Sequence, residues 1–162
     1  MMNKEDLIRQ AVESVLSSHE VQTEMNLKLA AALIERIEMK AESENLAVVI
    51  AVADKAGRPV AIHCMDGAYM GSFDVALNKS FTSAAFRMST EQLGQLSQPG
   101  QSLYGIQLTN DGKIVVFGGG EPLMSGDRMI GALGVSGGTA KQDTDLAAYG
   151  KEVLKEVISC LQ

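Results

Sequence analysis

The chain has 162 residues, of which 46% are hydrophobic, enough for one domain with a real core. No apolar run is long enough to span a bilayer, and a net charge of -6 opposes general nucleic-acid binding, which needs a basic surface. The charged first residues lack the hydrophobic stretch of a secretory signal. Cys64 and Cys160 are far apart, so we expect a protein of the reducing cytoplasm.

The first predicted element is a short amphipathic helix over residues 5–17. Its apolar residues recur at helical spacing. They are Leu7, Ile8, Ala11, Val12, Val15 and Leu16. A helix this short is marginal alone in water, so its apolar face needs a partner. A polar stretch follows, and the sequence therefore predicts a helix and linker over residues 1–22, ahead of a domain over residues 23–162.

The next segment predicts a helix followed by a β-hairpin. Residues 24–44 have a helical apolar stripe, and residues 46–53 form a continuous apolar run rich in Val and Ile, typical of a strand buried on both faces. Gly57 lies in a turn before a return strand over residues 59–65. Helices are then predicted over residues 71–88 and 89–97, with Pro99 and Gly100 ending the second.

The second half predicts more strands and a final helix. Asp111 and Gly112 separate two apolar runs at 106–109 and 114–117, which is a hairpin pattern. Another strand is predicted over residues 128–135. Thr139 with Gln142 forms a capping box that opens the last helix. The order of elements predicts an α/β (α+β) domain with a mostly antiparallel sheet of about five strands covered by helices.

Two glycine-rich stretches, at residues 117–123 and 134–139, are the most distinctive feature of the sequence. Their spacing does not match G-x-G-x-x-G, and no Gly-Lys-Ser/Thr follows, so a dinucleotide site or a P-loop is not expected. Glycine permits close backbone approach. Two interpretations stay open: tight packing of a strand against a helix, or a floor on which a flat ligand or a neighbouring chain lies.

The titratable residues offer few catalytic arrangements. The two histidines, His19 in the linker and His63 near a strand end, are residues of a type that can ligate haem iron. The alternative for His63 is a partly buried, hydrogen-bonded side chain. Cys64 is expected on the opposite strand face from His63. Lys79 could pair with a ligand carboxylate or form a surface salt bridge, and Asp143 is expected to cap or turn the chain.

Several ordered motifs over residues 24–160 resemble the GlcG/HbpS family. They are Met-Asp-Gly-Ala at 65–68, Ser-Phe-Asp-Val-Ala at 72–76 with Lys79, Gln-Pro-Gly-Gln-Ser-Leu-Tyr-Gly at 98–105, Phe-Gly-Gly-Gly at 117–120 with Pro122 and Leu123, and Ile-Gly-Ala-Leu-Gly-Val-Ser-Gly-Gly at 130–138. The likeness is to the branch with the PduO C-terminal domain and the OrfY-type proteins of diol and glycerol utilisation operons. Several motifs at compatible spacing make it specific.

The resemblance implies a profilin-like fold, self-association and, in some members, haem binding. Other members are linked to corrinoid metabolism or redox sensing. The first family helix here, residues 24–44, contains no His, which departs from haem ligation on that helix. No adenosyltransferase domain precedes the resemblance, so cobalamin adenosylation is not expected. Residues 3–16 resemble the encapsulation peptides of bacterial microcompartments; the alternative is a helix that packs on its own domain.

The expected function is a non-catalytic accessory protein that binds haem or a related tetrapyrrole, with a corrinoid less favoured. The alternatives are a haem- or corrinoid-dependent redox enzyme and an oligomeric adaptor. The expected iron ligand is His63, followed by His19. The expected pocket residues are Met65, Tyr104, Phe117, Gly118, Gly119, Gly120, Ser136, Gly137 and Gly138. We further expect a homo-oligomer without nucleic-acid or membrane partners, located in a microcompartment if residues 1–22 bind shell or cargo.

Overall fold

A computed structural model describes residues 24–161 together with Asp6 and Ile8. Its elements are helix α1 (Leu27–Ser43), strands β1 (Val49–Asp54) and β2 (Pro59–Cys64), helices α2 (Ser72–Phe86) and α3 (Thr90–Leu96), strands β3 (Gly120–Ser125) and β4 (Arg128–Ser136), and helix α4 (Ala140–Leu161). The predicted helix over residues 5–17, its linker and His19 lie outside the described residues, apart from Asp6 and Ile8, which are helical.

The four strands form one antiparallel sheet in the order β2-β1-β4-β3. Helices α1 and α4 cover one face, where Leu33, Ile37, Leu133 and Leu154 belong to the main core. Helix α2 lies on the other face, mostly over β4 and β1, with α3 beside it. The predicted α/β class with an antiparallel sheet covered by helices is confirmed, with four strands rather than five.

The strand prediction failed over residues 106–117. This segment forms two 3₁₀ turns, Ile106–Leu108 and Asn110–Gly112, and then runs along α2. Asn110 and Asp111 both have positive φ, 53° and 57°. The backbone therefore forms a tight 3₁₀ turn at the position where a two-residue hairpin turn was expected. The Val115 N–H binds the Thr82 hydroxyl at 3.1 Å instead of a strand partner. The missed strand is β3, which begins inside the first glycine-rich stretch.

Other local predictions are confirmed. Strand β1 is buried on both faces, as its apolar run predicted. Gly57 adopts a φ of 76° in the β1–β2 turn. At the start of α4 the Thr139 N–H donates to Gln142 Oε1 at 2.9 Å, and the Gln142 N–H donates to Thr139 Oγ1 at 3.3 Å. This capping box brings the N-terminus of α4 to the end of β4, where the polar centre of the domain lies.

Candidate functional site

The centre of the domain contains a fully buried ion pair between α2 and α4. The Lys79 Nζ donates to Asp143 Oδ2 at 2.9 Å and to the Val135 carbonyl at 2.8 Å. The ring of Phe117 lies over the ammonium, with its centroid at 4.9 Å. Asp143 Oδ1 accepts from the Gly138 N–H at 2.9 Å. Burial lowers the pKa of Lys79, while the hydrogen bond and negative charge of Asp143 act in the opposite direction.

The glycines around this pair make room for α2. Gly119 has a φ of 111°, and a Cβ there would lie 2.6 Å from Lys79 Nζ. A Cβ on Gly120 would lie 2.6 Å from Thr90 Cγ2, and a Cβ on Gly134 would collide with the backbone of α2 at Ala76. Of the two interpretations left open by the sequence, tight helix–strand packing is what these glycines show.

The expected pocket residues do not meet in one chain. Met65 follows β2, whereas Phe117, Gly118 and Gly119 precede β3, and these strands are the two edges of the sheet. Two strands separate the edges, which corresponds to about 14 Å. A pocket that combines Met65 with the first glycine-rich stretch is therefore not formed within a single chain.

The other expected pocket residues fall into two groups, one in the turn before α4 and one beside α3. Ser136 is buried at the end of β4, and Gly137 and Gly138 are half-buried in the turn before α4. Tyr104 is exposed in a turn tied to α3 through the Leu103 N–H, which donates to the Leu96 carbonyl at 3.0 Å. Phe117 is half-exposed. Tyr104 and Phe117 are thus apolar rings available to a ligand or to another chain.

His63 lies on the opposite side of the sheet from α2. Its Nδ1 is 2.9 Å from Glu38 Oε1 on α1, and 40% of its side chain is exposed. The expectation of a partly buried, hydrogen-bonded histidine is confirmed. In the neutral ring, Nδ1–H donates to Glu38 and the Nε2 lone pair stays free. A carboxylate on the second ring nitrogen is the usual arrangement in metal-binding histidines, because it sets the tautomer and the ring orientation.

An open groove of about 630 Å³ lies next to this pair, between α1 and the end of β2. It is lined by Glu38, Glu42, Asn45, Leu46, Ala47, Cys64, Met65 and Asp66. Leu46 and Met65 offer apolar contact, whereas the three carboxylates make the rest of the groove acidic. His63 borders this groove through its contact with Glu38, and anionic groups such as the propionates of a haem would be repelled by the carboxylates inside it. Among the described residues, no His, Cys, Asp and Glu cluster is placed to hold a metal ion by itself.

Sequence reasoning missed two partnerships, that of Lys79 with Asp143 and that of His63 with Glu38. Lys79 was expected to pair with a ligand carboxylate or to form a surface salt bridge, and Asp143 was expected to cap or turn the chain. Their contact with each other was not predicted. A usable signal was present in the sequence, because Ala76, Ser80 and Ser83 share one helical face with Lys79. The structure buries all four residues. A lysine on a face of small residues indicates close packing, and a buried lysine needs a carboxylate.

The fold is that of a known family. A family model described as haem degrading protein HbpS-like matches residues 25–152, and the chain therefore belongs to the HbpS-like family. It is 41% identical over 133 residues to a 15.0 kDa protein of the dhaT-dhaS intergenic region of Citrobacter freundii, covering 82% of this chain and 94% of that protein.

The corrinoid adenosyltransferase PduO of Citrobacter freundii is also similar, with 38% identity over 109 residues. That match covers 67% of this chain but only 32% of PduO, so the activity of the whole PduO protein does not follow from it.

Two solved structures support the family assignment. Protein ORFY of Klebsiella pneumoniae has a TM-score of 0.79 and 36% identity, covering 96% of this chain and 97% of that chain. A PduOC:heme complex has a TM-score of 0.77 and 31% identity, covering 80% of this chain and 94% of that chain. In the described part of the sequence, no helix is long and apolar enough to cross a membrane.

Proposed function

We propose that this protein binds haem or a related tetrapyrrole as an accessory protein, with His63 as the iron ligand. The observation that carries the proposal is the His63–Glu38 contact of 2.9 Å beside an open groove. It leaves Nε2 free and holds the imidazole in one orientation. Membership of the HbpS-like family and similarity to the PduOC:heme complex support the same ligand.

Each nearby side chain has a distinct part in this proposal. Glu38 holds the Nδ1 proton of His63 and orients the ring. Met65 and Leu46 supply apolar contact for the macrocycle, and the acidic lining keeps the propionates outside the groove. Phe117, Tyr104 and the turn at Gly137 remain candidates for contacts made through a second chain. When bound, haem would supply a redox-active iron; the chain supplies binding and orientation.

A hemin titration of the purified protein, followed by visible absorption, tests the proposal. We expect His63→Ala to change the Soret band, and Glu38→Gln to weaken binding by about tenfold, since second-shell partners of metal ligands have effects of this size. Cys64→Ser is the matched control: Cys64 also borders the groove, but its side chain alternates to the opposite strand face from His63 and should not reach the iron. His19→Ala tests the second candidate ligand.

Two outcomes would count against the proposal. If the unmutated protein binds no hemin, the ligand is wrong and the adaptor function becomes the better hypothesis. If hemin binds but the spectrum of His63→Ala is unchanged, the ligand assignment is wrong and His19 is the next candidate. Circular dichroism of each variant distinguishes a lost ligand from a lost fold.

The pathway part of the proposal concerns diol or glycerol metabolism. Similarity to a dhaT-dhaS region protein and to PduO supports this context. We propose that the protein serves a microcompartment pathway of this type, and that residues 1–22 bind its shell or cargo. The pattern of Leu7, Val12 and Val15 on one helical face supports such a contact.

A second candidate is a haem- or corrinoid-dependent redox enzyme. The description of the family model as haem degrading, and the similarity to a corrinoid adenosyltransferase, favour it. Loss of the Soret band with release of iron after addition of a reductant or peroxide would support haem turnover. Reduction of an added corrinoid would support the other reaction. A hemin complex that stays unchanged under both treatments favours the binding function.

A further inference from the structure

Lys79 has one hydrogen-bond donor that no oxygen of the described residues accepts. A lysine ammonium carries three N–H donors. Two of them bind the Val135 carbonyl at 2.8 Å and Asp143 Oδ2 at 2.9 Å. In place of a third oxygen, the ring of Phe117 lies over the ammonium. Since buried polar groups normally have hydrogen-bond partners, the Phe117 side of Lys79 is where the oxygen of a ligand can be added.

The backbone beside the ammonium has unpaired donors as well. Gly118 and Gly119 are buried, but their N–H groups bind no acceptor in the part of the chain that the structure describes. Strand β3 begins only at Gly120, whose N–H donates to Thr90 Oγ1 at 2.9 Å. Because buried backbone N–H groups are nearly always paired in folded proteins, two consecutive unpaired ones indicate a position that an outside acceptor fills.

These donors lie close enough together to bind one group. A Cβ on Gly119 would lie 2.6 Å from Lys79 Nζ, which places the Gly119 nitrogen within about 5 Å of Nζ by standard backbone geometry. A Cβ on Gly118 would collide with Thr144 and lie 3.6 Å from the Ala140 carbonyl oxygen, so this backbone lies against the start of α4. The N-terminal end of a helix carries partial positive charge, which favours an anion nearby.

The ring of Phe117 is the removable part of this enclosure. It is 47% exposed, whereas Lys79, Gly118 and Gly119 are buried. A rotation of the Phe117 side chain to another rotamer would take the ring off the ammonium without moving the backbone. An anion that enters there exchanges a cation–π contact for charge-assisted hydrogen bonds.

We propose that Lys79, Gly118 and Gly119 form a binding site for a small carboxylate, gated by the ring of Phe117. A carboxylate has two acceptor oxygens and no donor, so one oxygen accepts from the third ammonium N–H and the other from the glycine N–H groups. A single negative charge suits this position best. Asp143 already balances the charge of Lys79 and would repel a second negative charge on the ligand.

A titration of the unmutated protein with sodium acetate at constant ionic strength, followed by its ¹H–¹⁵N amide signals, tests the site. We expect saturable shifts of the Gly118 and Gly119 signals, because their N–H groups gain an acceptor. Acetamide has nearly the same shape without the charge, and the second charge of inorganic phosphate would face Asp143. Each should bind at least about tenfold more weakly than acetate.

Phe117→Ala tests the gate. We expect it to lower the acetate dissociation constant by about tenfold, which is the size of the cation–π contact that acetate otherwise has to replace. Phe73→Ala is the matched control, since Phe73 is similarly exposed, at 42%, in the first turn of α2 and more than one turn before Lys79. It should leave the affinity unchanged. If Phe117 only stabilised the fold, its removal would lower stability without tightening acetate binding.

This site and the proposed haem site fail separately, because β2, which carries His63, and β3 are opposite edges of the sheet. Hemin bound at His63 should not displace acetate. The inference is overturned if acetate shifts neither glycine signal, if acetamide or phosphate binds as tightly, or if hemin displaces acetate. Equal effects of Phe117→Ala and Phe73→Ala would overturn the gate. If Phe117→Ala is unfolded by circular dichroism, the titrations of the unmutated protein decide alone.

Discussion

The buried charge of Lys79 joins three elements of this domain. Its ammonium joins α2 to the end of β4 through the Val135 carbonyl and to α4 through Asp143, and it is completely buried. An ion of this kind is costly to desolvate, and it persists because each of its neighbours is a matched partner. The ring of Phe117, which is itself half-exposed, covers the ammonium. The pair therefore fixes the position of α2, on one face of the sheet, relative to α4 on the other face.

Removing one partner should leave a buried, uncompensated charge. We expect Lys79→Met to lower the free energy of unfolding by about 3–5 kcal/mol. The double variant Lys79→Met with Asp143→Leu should recover part of this loss, because no charge then stays buried. Urea denaturation followed by circular dichroism measures both.

A matched control is available on α4. Lys141 pairs with Asp145 at the surface, where both side chains are largely exposed. Lys141→Met should change stability too little to resolve, since exposed pairs contribute little. If Lys79→Met is no more destabilising than Lys141→Met, the organising role of the buried pair is wrong.

The β1–β2 turn is the element whose stability should depend most clearly on pH. Burial raises the pKa of Asp54, but its oxygens accept from the N–H groups of Arg58 at 3.0 Å and Ala56 at 2.8 Å and from the Arg58 side chain, and the net pKa is lowered. The charged form is thus favoured in the folded state. Its contribution is present above the unfolded pKa of about 3.9 and is lost as the pH falls through the folded value.

Asp54→Asn should therefore lower the free energy of unfolding at neutral pH and have little effect on it in acid. We expect a loss of about 1 kcal/mol in the free energy of unfolding at pH 7, since a typical intramolecular hydrogen bond contributes on this order. The difference from the unmutated protein should shrink as the pH falls below about 4. Urea denaturation at a series of pH values measures it. Asp145→Asn removes an exposed carboxylate and serves as the control for net charge. A difference that stays constant down to the lowest pH would contradict the assignment.

At the scale of the whole molecule, the domain and the segment before it have separate parts in the proposed function. In this proposal the domain supplies the ligand site. The sequence of the N-terminal segment predicts an apolar helical face, and Ile8, one of the residues on that face, is exposed in the structure. An exposed position on the apolar face favours a partner outside the domain, as an encapsulation peptide requires.

Residues 1–20 fused to a fluorescent protein should direct it to a microcompartment in cells that assemble one. Leu7→Glu or Val15→Glu should disperse the signal, because each places a charge on the face that must be desolvated. Gln10→Glu adds the same charge on the polar face and should leave the foci intact. Fluorescence microscopy gives the result. Diffuse signal from the unmutated fusion in cells with intact shells would count decisively against targeting.

What the sequence determined by itself is the set of elements with strong local patterns. The apolar run of β1, the helical stripe of α1, the turn at Gly57 and the capping box at Thr139 were all predicted, because their causes lie within a few residues of one another. The order of motifs also identified the family. Each of these features depends on periodicity or on local backbone chemistry.

Only the tertiary structure decided the contacts between distant residues. Lys79 and Asp143 are 64 positions apart, and His63 and Glu38 are 25 apart, so no local pattern couples them. The same limit explains the missed strand. Residues 114–117 have the composition of a strand but lie along α2, whereas β3 pairs with β4 despite its glycine and proline. Strand pairing and burial of charge depend on which surfaces meet, and that is settled only when the whole chain packs.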